Sequence, residues 1–195
     1  MDFSISGDFI LTNLVNNVGS LFSHYYNFND DFYLDTISKN AQLSLIVKDN
    51  TLIQEELIKG LTIANNSKAD IKIEFGSNDL NMSLNSSHIN YFGIDLQDNR
   101  VMVNSKGKSL DLTYEIASIV FKDSTASDKT VLGIENFILN SSSIDDALNF
   151  NLNWMNKDTL RKNEGLVVGS LIHDSIFEAL TIFKFNVWVN GTDWN

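Results

Sequence analysis

Leu110-Asp111-Leu112-Thr113-Tyr114-Glu115-Ile116-Ala117-Ser118-Ile119-Val120-Phe121 decides the fold. Apolar residues occupy alternate positions from Leu110 to Ile116, which in an extended chain places them on one face of a sheet. The phase then shifts to Ile119 and Phe121, as a β-bulge or a passage between two environments would require. The same period of two runs outward in both directions. Phe3, Ile5, Phe9 and Leu11 open it, with Gly7 in register. Ala41, Leu43, Leu45 and Val47 continue it, then Ile71, Ile73 and Phe75, then Leu80, Met82 and Leu84. Downstream, Leu148, Phe150, Leu152 and Trp154 interleave with Asn149, Asn151 and Asn153. Phe183, Phe185, Val187 and Val189 then share a face opposite Lys184, Asn186 and Trp188.

One segment departs from this period. Leu14, Val18, Leu21 and Tyr25 recur at helical spacing, and Thr12 or Asn13 can cap the first turn. Residues 51–59, closed by Gly60, read as a short helix, and 159–179 fit either a short helix or a buried strand. Polar runs at 65–68, 97–99, 105–107 and 140–143 read as turns. The expected fold is mainly β (α+β). It is a curved antiparallel sheet or partly open barrel with one N-terminal amphipathic helix and one or two short helices, in a single domain over 1–195.

Composition narrows the function classes. The 195 residues include 25 acidic and 14 basic side chains, for a formal charge of −11, and 43% are hydrophobic. That is enough apolar material for a core and too much for a disordered tail. Phosphate neutralisation takes clustered Lys or Arg, which this chain lacks, so nucleic acid is not an expected partner. No basic membrane-surface helix is present for the same reason. Cysteine is absent, which excludes disulfides and thiolate metal sites. Proline is also absent, while Asn occurs 25 times and Arg only at Arg100 and Arg161, a pattern expected of AT-rich coding DNA. No apolar run reaches the roughly twenty residues of a membrane-spanning helix. No signal peptide follows Met1. The chain is therefore expected to be cytoplasmic or virion-borne, or a trimmed mature fragment, with the mid-strand character of 185–189 favouring the fragment.

Signals for catalysis are weak. His24, His88 and His173 have no His or Cys at ligand spacing. Val18-Gly19-Ser20 and Val168-Gly169-Ser170 lack the second glycine of a nucleophile elbow. Asp30-Asp31 and Asp145-Asp146 are adjacent acids of the kind usually found solvated in turns. No metal, cofactor or catalytic residue is assigned, and the protein is read as non-enzymatic. Asn81 lies in Asp79-Leu80-Asn81-Met82-Ser83, which satisfies the extended acidic sequon of some bacterial oligosaccharide transferases, and is the glycosylation candidate. Twenty-one aromatic residues would suit either a β core or an apolar groove. Phe9, Leu14, Val18, Leu21 and Tyr25 are the groove candidates, since a helix laid across a curved sheet can cradle an apolar ligand.

The run 110–121, continued by 131–143 and 148–154, resembles the YdgA-like family of bacterial envelope proteins. It is also similar to the JlpA-type surface lipoprotein adhesins. The resemblance rests on apolar-alternating strands separated by Ser, Asn and Asp. It implies a curved, incompletely closed β-barrel at the cell envelope or surface, and it supplies no catalytic residues. The expected function is thus a non-enzymatic bacterial envelope or surface protein that binds a partner or apolar ligand through its sheet. The alternative is a virion or appendage structural subunit, such as a decoration or tail-associated protein.

Overall fold

The computed structural model describes residues 2–8, 10, 13–25, 39–49, 59–122, 130–144, 147–156, 163–173, 178–189 and 192–194, with most of their side chains. The chain runs β1 (Asp2–Asp8), α1 (Leu14–Ser23), β2 (Asn40–Ile46), β3 (Leu61–Ile63), β4 (Lys68–Glu74), β5 (Asp79–Tyr91) and β6 (Ile94–Lys106). It continues through β7 (Ser109–Lys122), β8 (Thr130–Ile144), β9 (Ala147–Met155), β10 (Asn163–His173), β11 (Glu178–Val189) and β12 (Thr192–Trp194). All the strands form one curved antiparallel sheet in the order β1-β2-β4-β5-β6-β7-β8-β9-β10-β11-β12, with β3 beside β5. Its first and last strands do not pair, so the sheet stays open.

Register explains the alternation. One row across the sheet reads Ile5, Leu43, Ile71, Met82, Val103, Leu112, Ser141, Phe150, Gly169, Ile182. The next apolar row reads Phe3, Leu45, Ala69, Leu84, Val101, Tyr114, Leu139, Leu152, Val167, Phe185. The row between them, on the opposite face, is Ser4, Ser44, Asp70, Ser83, Met102, Thr113, Asn140, Asn151, Val168, Lys184. One face is thus apolar and the other mostly polar, as expected of an antiparallel sheet with one wet side.

The phase shift in β7 belongs to a bend that crosses the sheet. The apolar face moves from Ser86 to Ile89 in β5, from Asn99 to Leu96 in β6, from Ile116 to Ile119 in β7 and from Phe137 to Ile134 in β8. Each is a step of three residues, with Ser87, Asp98, Ala117 and Asn136 unpaired at the step and the register unchanged across it. Asp98 (φ 51°) and Asn136 (φ 50°) take the left-handed conformation that Asp and Asn tolerate best. At the same level, 64–67 interrupts the line of β3 and β4 along the edge of β5, with Asn66 at φ 65°. The 97–99 run, read from sequence as a turn, is therefore an interior stretch of β6. The turn really lies at Phe92-Gly93, where positive φ at both residues (48° and 84°) closes a two-residue hairpin.

Buried polar groups pin the bend. Ser67 Oγ donates to Ser86 Oγ at 2.7 Å, and Ser86 Oγ to the His88 carbonyl at 2.9 Å. Asn99, 2% exposed, donates to the Leu96 carbonyl at 2.9 Å and accepts from the Tyr114 hydroxyl at 3.2 Å. Asn99→Ala removes two hydrogen bonds made by a buried amide, so it is expected to destabilise the fold by about 1–3 kcal/mol. Urea denaturation checks this, and a loss below about half a kcal/mol would show that the network does not hold the bend.

The 140–143 run also lies inside a strand, β8, and not in a turn. Asn140 and Ser142 belong to the polar face, while Ser143, 1% exposed, donates to the Tyr25 carbonyl just beyond α1. Polar residues in this strand thus serve the wet face or receive the helix. The region 159–179 is strand wherever it is described, in β10 and the start of β11, and residues 51–58 lie outside the described residues.

Candidate functional site

The helix face selected from sequence is packed on the sheet. Leu21 and Tyr25 are each 1% exposed and join Ala41, Ile73, Phe75, Leu80 and Val103 in the core, with Val18 packed against it. Leu14 begins α1 but its side chain, like all of Phe9, lies outside the described residues. The Tyr25 hydroxyl is buried near the Ser105 hydroxyl but makes no well-aligned hydrogen bond among the described residues. Burial raises its pKa above the ordinary 10.0, with the Ser105 hydroxyl opposing and the Asp79 carboxylate adding to the rise. Burial raises Tyr114 in the same way. A raised tyrosine pKa means the unfolded chain ionises first. Stability held below about pH 10 is therefore lost as pH rises further. Tyr25→Phe is expected to be neutral or stabilising at pH 7 and to shift alkaline unfolding upward, as followed by denaturant midpoint against pH.

A different part of the apolar face is open. Its rows run Phe150, Gly169, Ile182; Leu152, Val167, Phe185; and Trp154, Gly165, Val187 across β9, β10 and β11. Side chains on β10 are missing where the aromatic rings of β9 need space. The Trp154 ring occupies the place a Cβ on Gly165 would take. Phe150 Cζ would lie 2.6 Å from a Cβ on Gly169. Trp154 Nε1 donates to Asn163 Oδ1 at 2.9 Å, and Asn163 Nδ2 donates to the Gly133 carbonyl at 3.1 Å, which fixes the indole. The result is an apolar strip edged by Ile182 and Phe185, 44% and 47% exposed. The sequence showed the Leu148–Trp154 alternation. It could not show that glycines stand opposite the rings, because that depends on pairing with another strand.

The opposite face is polar and shallowly recessed. One recess of about 430 Å³ lies over β7 to β10, lined in part by Asp111, Thr113, Asn140, Ser142, Asn149 and Asn151. Asn81 is exposed near the start of β5, paired on both sides through Lys72 and Asn104. The sequon is therefore held extended within the sheet. Beside it, the Lys68 ammonium and then the Ser44 hydroxyl, both hydrogen-bonded to Asp70, lower its pKa.

Chemistry-bearing residues are dispersed. His88 Nε2 lies 3.0 Å from Asp95 Oδ1, which also accepts from Asn90 Nδ2 at 2.5 Å. His24 packs edge-on to Tyr25, with ring centroids 5.1 Å apart. Ser20 lies in α1, and Ser170 is 3% exposed within β10, not on an exposed elbow. Among the described residues no group of three or more His, Asp or Glu could hold a metal ion. Asp30, Asp31, Asp145 and Asp146 lie outside them. No helix among the described residues is long and apolar enough to cross a membrane. No family model matches the chain, and no curated protein or solved structure matches it either.

Proposed function

We propose that this chain is a non-enzymatic bacterial envelope or surface protein that binds a protein partner on the apolar strip of β9, β10 and β11. The observation that carries this reading is the half-exposed pair Ile182 and Phe185 beside aromatic rings laid over Gly165 and Gly169. An apolar surface carrying aromatic residues resembles the buried centre of a protein interface. It does not enclose a small ligand. An apolar cavity elsewhere, lined by Leu45, Val47, Ile63, Leu84 and Ile89, holds about 60 Å³. Sites for small molecules usually hold about 300–1,000 Å³. The envelope setting rests on the resemblance of the strand pattern, on the Asp79–Ser83 sequon and on the Asn-rich, Arg-poor composition.

Fluorescence of anilinonaphthalene sulfonate, which brightens on apolar surface, tests the strip directly. Ile182→Lys with Phe185→Lys is expected to remove most of the enhancement while leaving the circular dichroism unchanged. Phe92→Lys, at an exposed hairpin turn, serves as control. Undiminished enhancement in the double variant would dismiss the strip as the accessible apolar surface.

A second reading, the assembly subunit, is favoured by one edge. β12 pairs only with Val187, Trp188 and Val189 of β11, so the outer edge of 178–186 has no strand partner among the described residues. Such an edge can template another strand. Native mass spectrometry distinguishes the readings: a discrete oligomer supports assembly, and a monomer at all concentrations removes it.

A further inference from the structure

Where the bend opens the sheet beside β5, β6 and β7, the structure contains a separate recess of about 550 Å³. All ten residues lining it are polar. We propose that this recess binds an uncharged, hydroxyl-rich ligand, a glycan residue, independently of the apolar strip. Its volume lies within the roughly 300–1,000 Å³ typical of small-molecule sites.

The mixture of groups selects the ligand class. Asn65 and Asn85 each offer amide donors and an acceptor, Asp98 and Glu115 only accept, and Arg100 only donates. A sugar hydroxyl both donates and accepts, so adjacent hydroxyls can satisfy all of these groups. An anion would meet the carboxylates of Asp98 and Glu115, and a cation would meet the guanidinium of Arg100. Arg100 Nη1 and Glu115 Oε2 are 4.0 Å apart, with both side chains about half exposed. That loose pair leaves both groups able to turn toward a ligand.

The base of the recess is fixed in advance. Ser67, Ser86 and Asn99 lie beneath it with their side chains turned toward the apolar face, 7%, 5% and 2% exposed, so the groups offered to a ligand come from Asn65, Asn85, Asp98, Arg100 and Glu115. They are held by the Ser67–Ser86 hydrogen bond of 2.7 Å and the Asn99–Leu96 bond of 2.9 Å. Little ordering of the base is then left to oppose binding.

The test is an array of immobilised uncharged oligosaccharides, with sialylated and phosphorylated glycans included, probed with the labelled full chain. The strongest binder is then titrated against Asn85→Ala and Arg100→Ala, both at exposed positions, with folding checked by circular dichroism. Selective capture of uncharged glycans is expected, weakened about tenfold in each variant by loss of a hydrogen bond. Asp111→Ala, in the other polar recess, is expected to bind as wild type. The proposal is overturned if no uncharged glycan binds, if acidic glycans are preferred, or if neither Asn85→Ala nor Arg100→Ala weakens binding.

Discussion

Leu21→Asp is expected to leave the chain unfolded, or to remove about 4 kcal/mol or more of stability. Leu21 is 1% exposed in an apolar cluster with Ala41, Ile73, Phe75 and Leu80. The substitution forfeits the roughly 1.5–3 kcal/mol of burying a leucine. It also forces a carboxylate to lose its hydration or to take up a proton. Val18→Asp, at a partly buried position, should cost less, because its carboxylate can reach water. Urea denaturation of the two variants separates core from groove. A helix face that served mainly to line a ligand site would tolerate both changes and lose only ligand binding.

Gly169→Val carries the second large effect. A Cβ there would lie 2.6 Å from Phe150 Cζ, 2.6 Å from the Thr181 carbonyl oxygen and 3.1 Å from Ile182 Cδ1. The phenyl ring can swing aside, but the Thr181 carbonyl belongs to the paired backbone of β11. Relief therefore requires prising β10 from β11, at a cost of at least about 1–3 kcal/mol. Adding Phe150→Ala should restore only part of that stability. At Gly165 the three nearest atoms all belong to the Trp154 ring, so Gly165→Ala should be relieved in large part by Trp154→Leu. Gly133→Ala, with open space around its Cβ, is the control and should change little. Equal stability of all three glycine variants would contradict the close approach of β9 and β11 to β10.

The same residues show how far the sequence could be read. Leu110 to Ile116 and Leu148 to Trp154 were legible because one face meets water and the other does not. The step from Ile116 to Ile119 carried the bend in a single strand. The equivalent step in β6 was hidden, because Gln97, Asp98 and Asn99 have the composition of a turn. There, Asp98 supplies a left-handed residue and Asn99 a buried hydrogen-bonding amide inside a strand. Asn140 to Ser143 misled in the same way, since Ser143 is polar in order to receive the Tyr25 carbonyl. In β11, Phe183 and Phe185 were assigned one face, but the register against β10 slips between Lys184 and Ile182 and takes Phe183 out of that alternation.

Sites were less legible than strands. Helical spacing picked out Leu21 in α1 and Tyr25 just beyond it, both buried, but spacing cannot say whether the sheet or a ligand covers them. The apolar strip depends on Phe150 meeting Gly169 and Trp154 meeting Gly165, positions eleven or more residues apart whose register only the fold defines. The polar recess at the bend likewise joins residues from the turn before β4 with others from β5, β6 and β7. No local motif marks it.

Photo-crosslinking tests the central claim most directly. A benzophenone amino acid is placed at Phe185 on the strip, and separately at Asp111 on the polar face, in cells that naturally make the protein. The predicted result is one discrete protein adduct from position 185, absent from position 111 and abolished by Ile182→Lys. Equal adducts from both positions, or none from position 185, would contradict a partner-binding role for the strip.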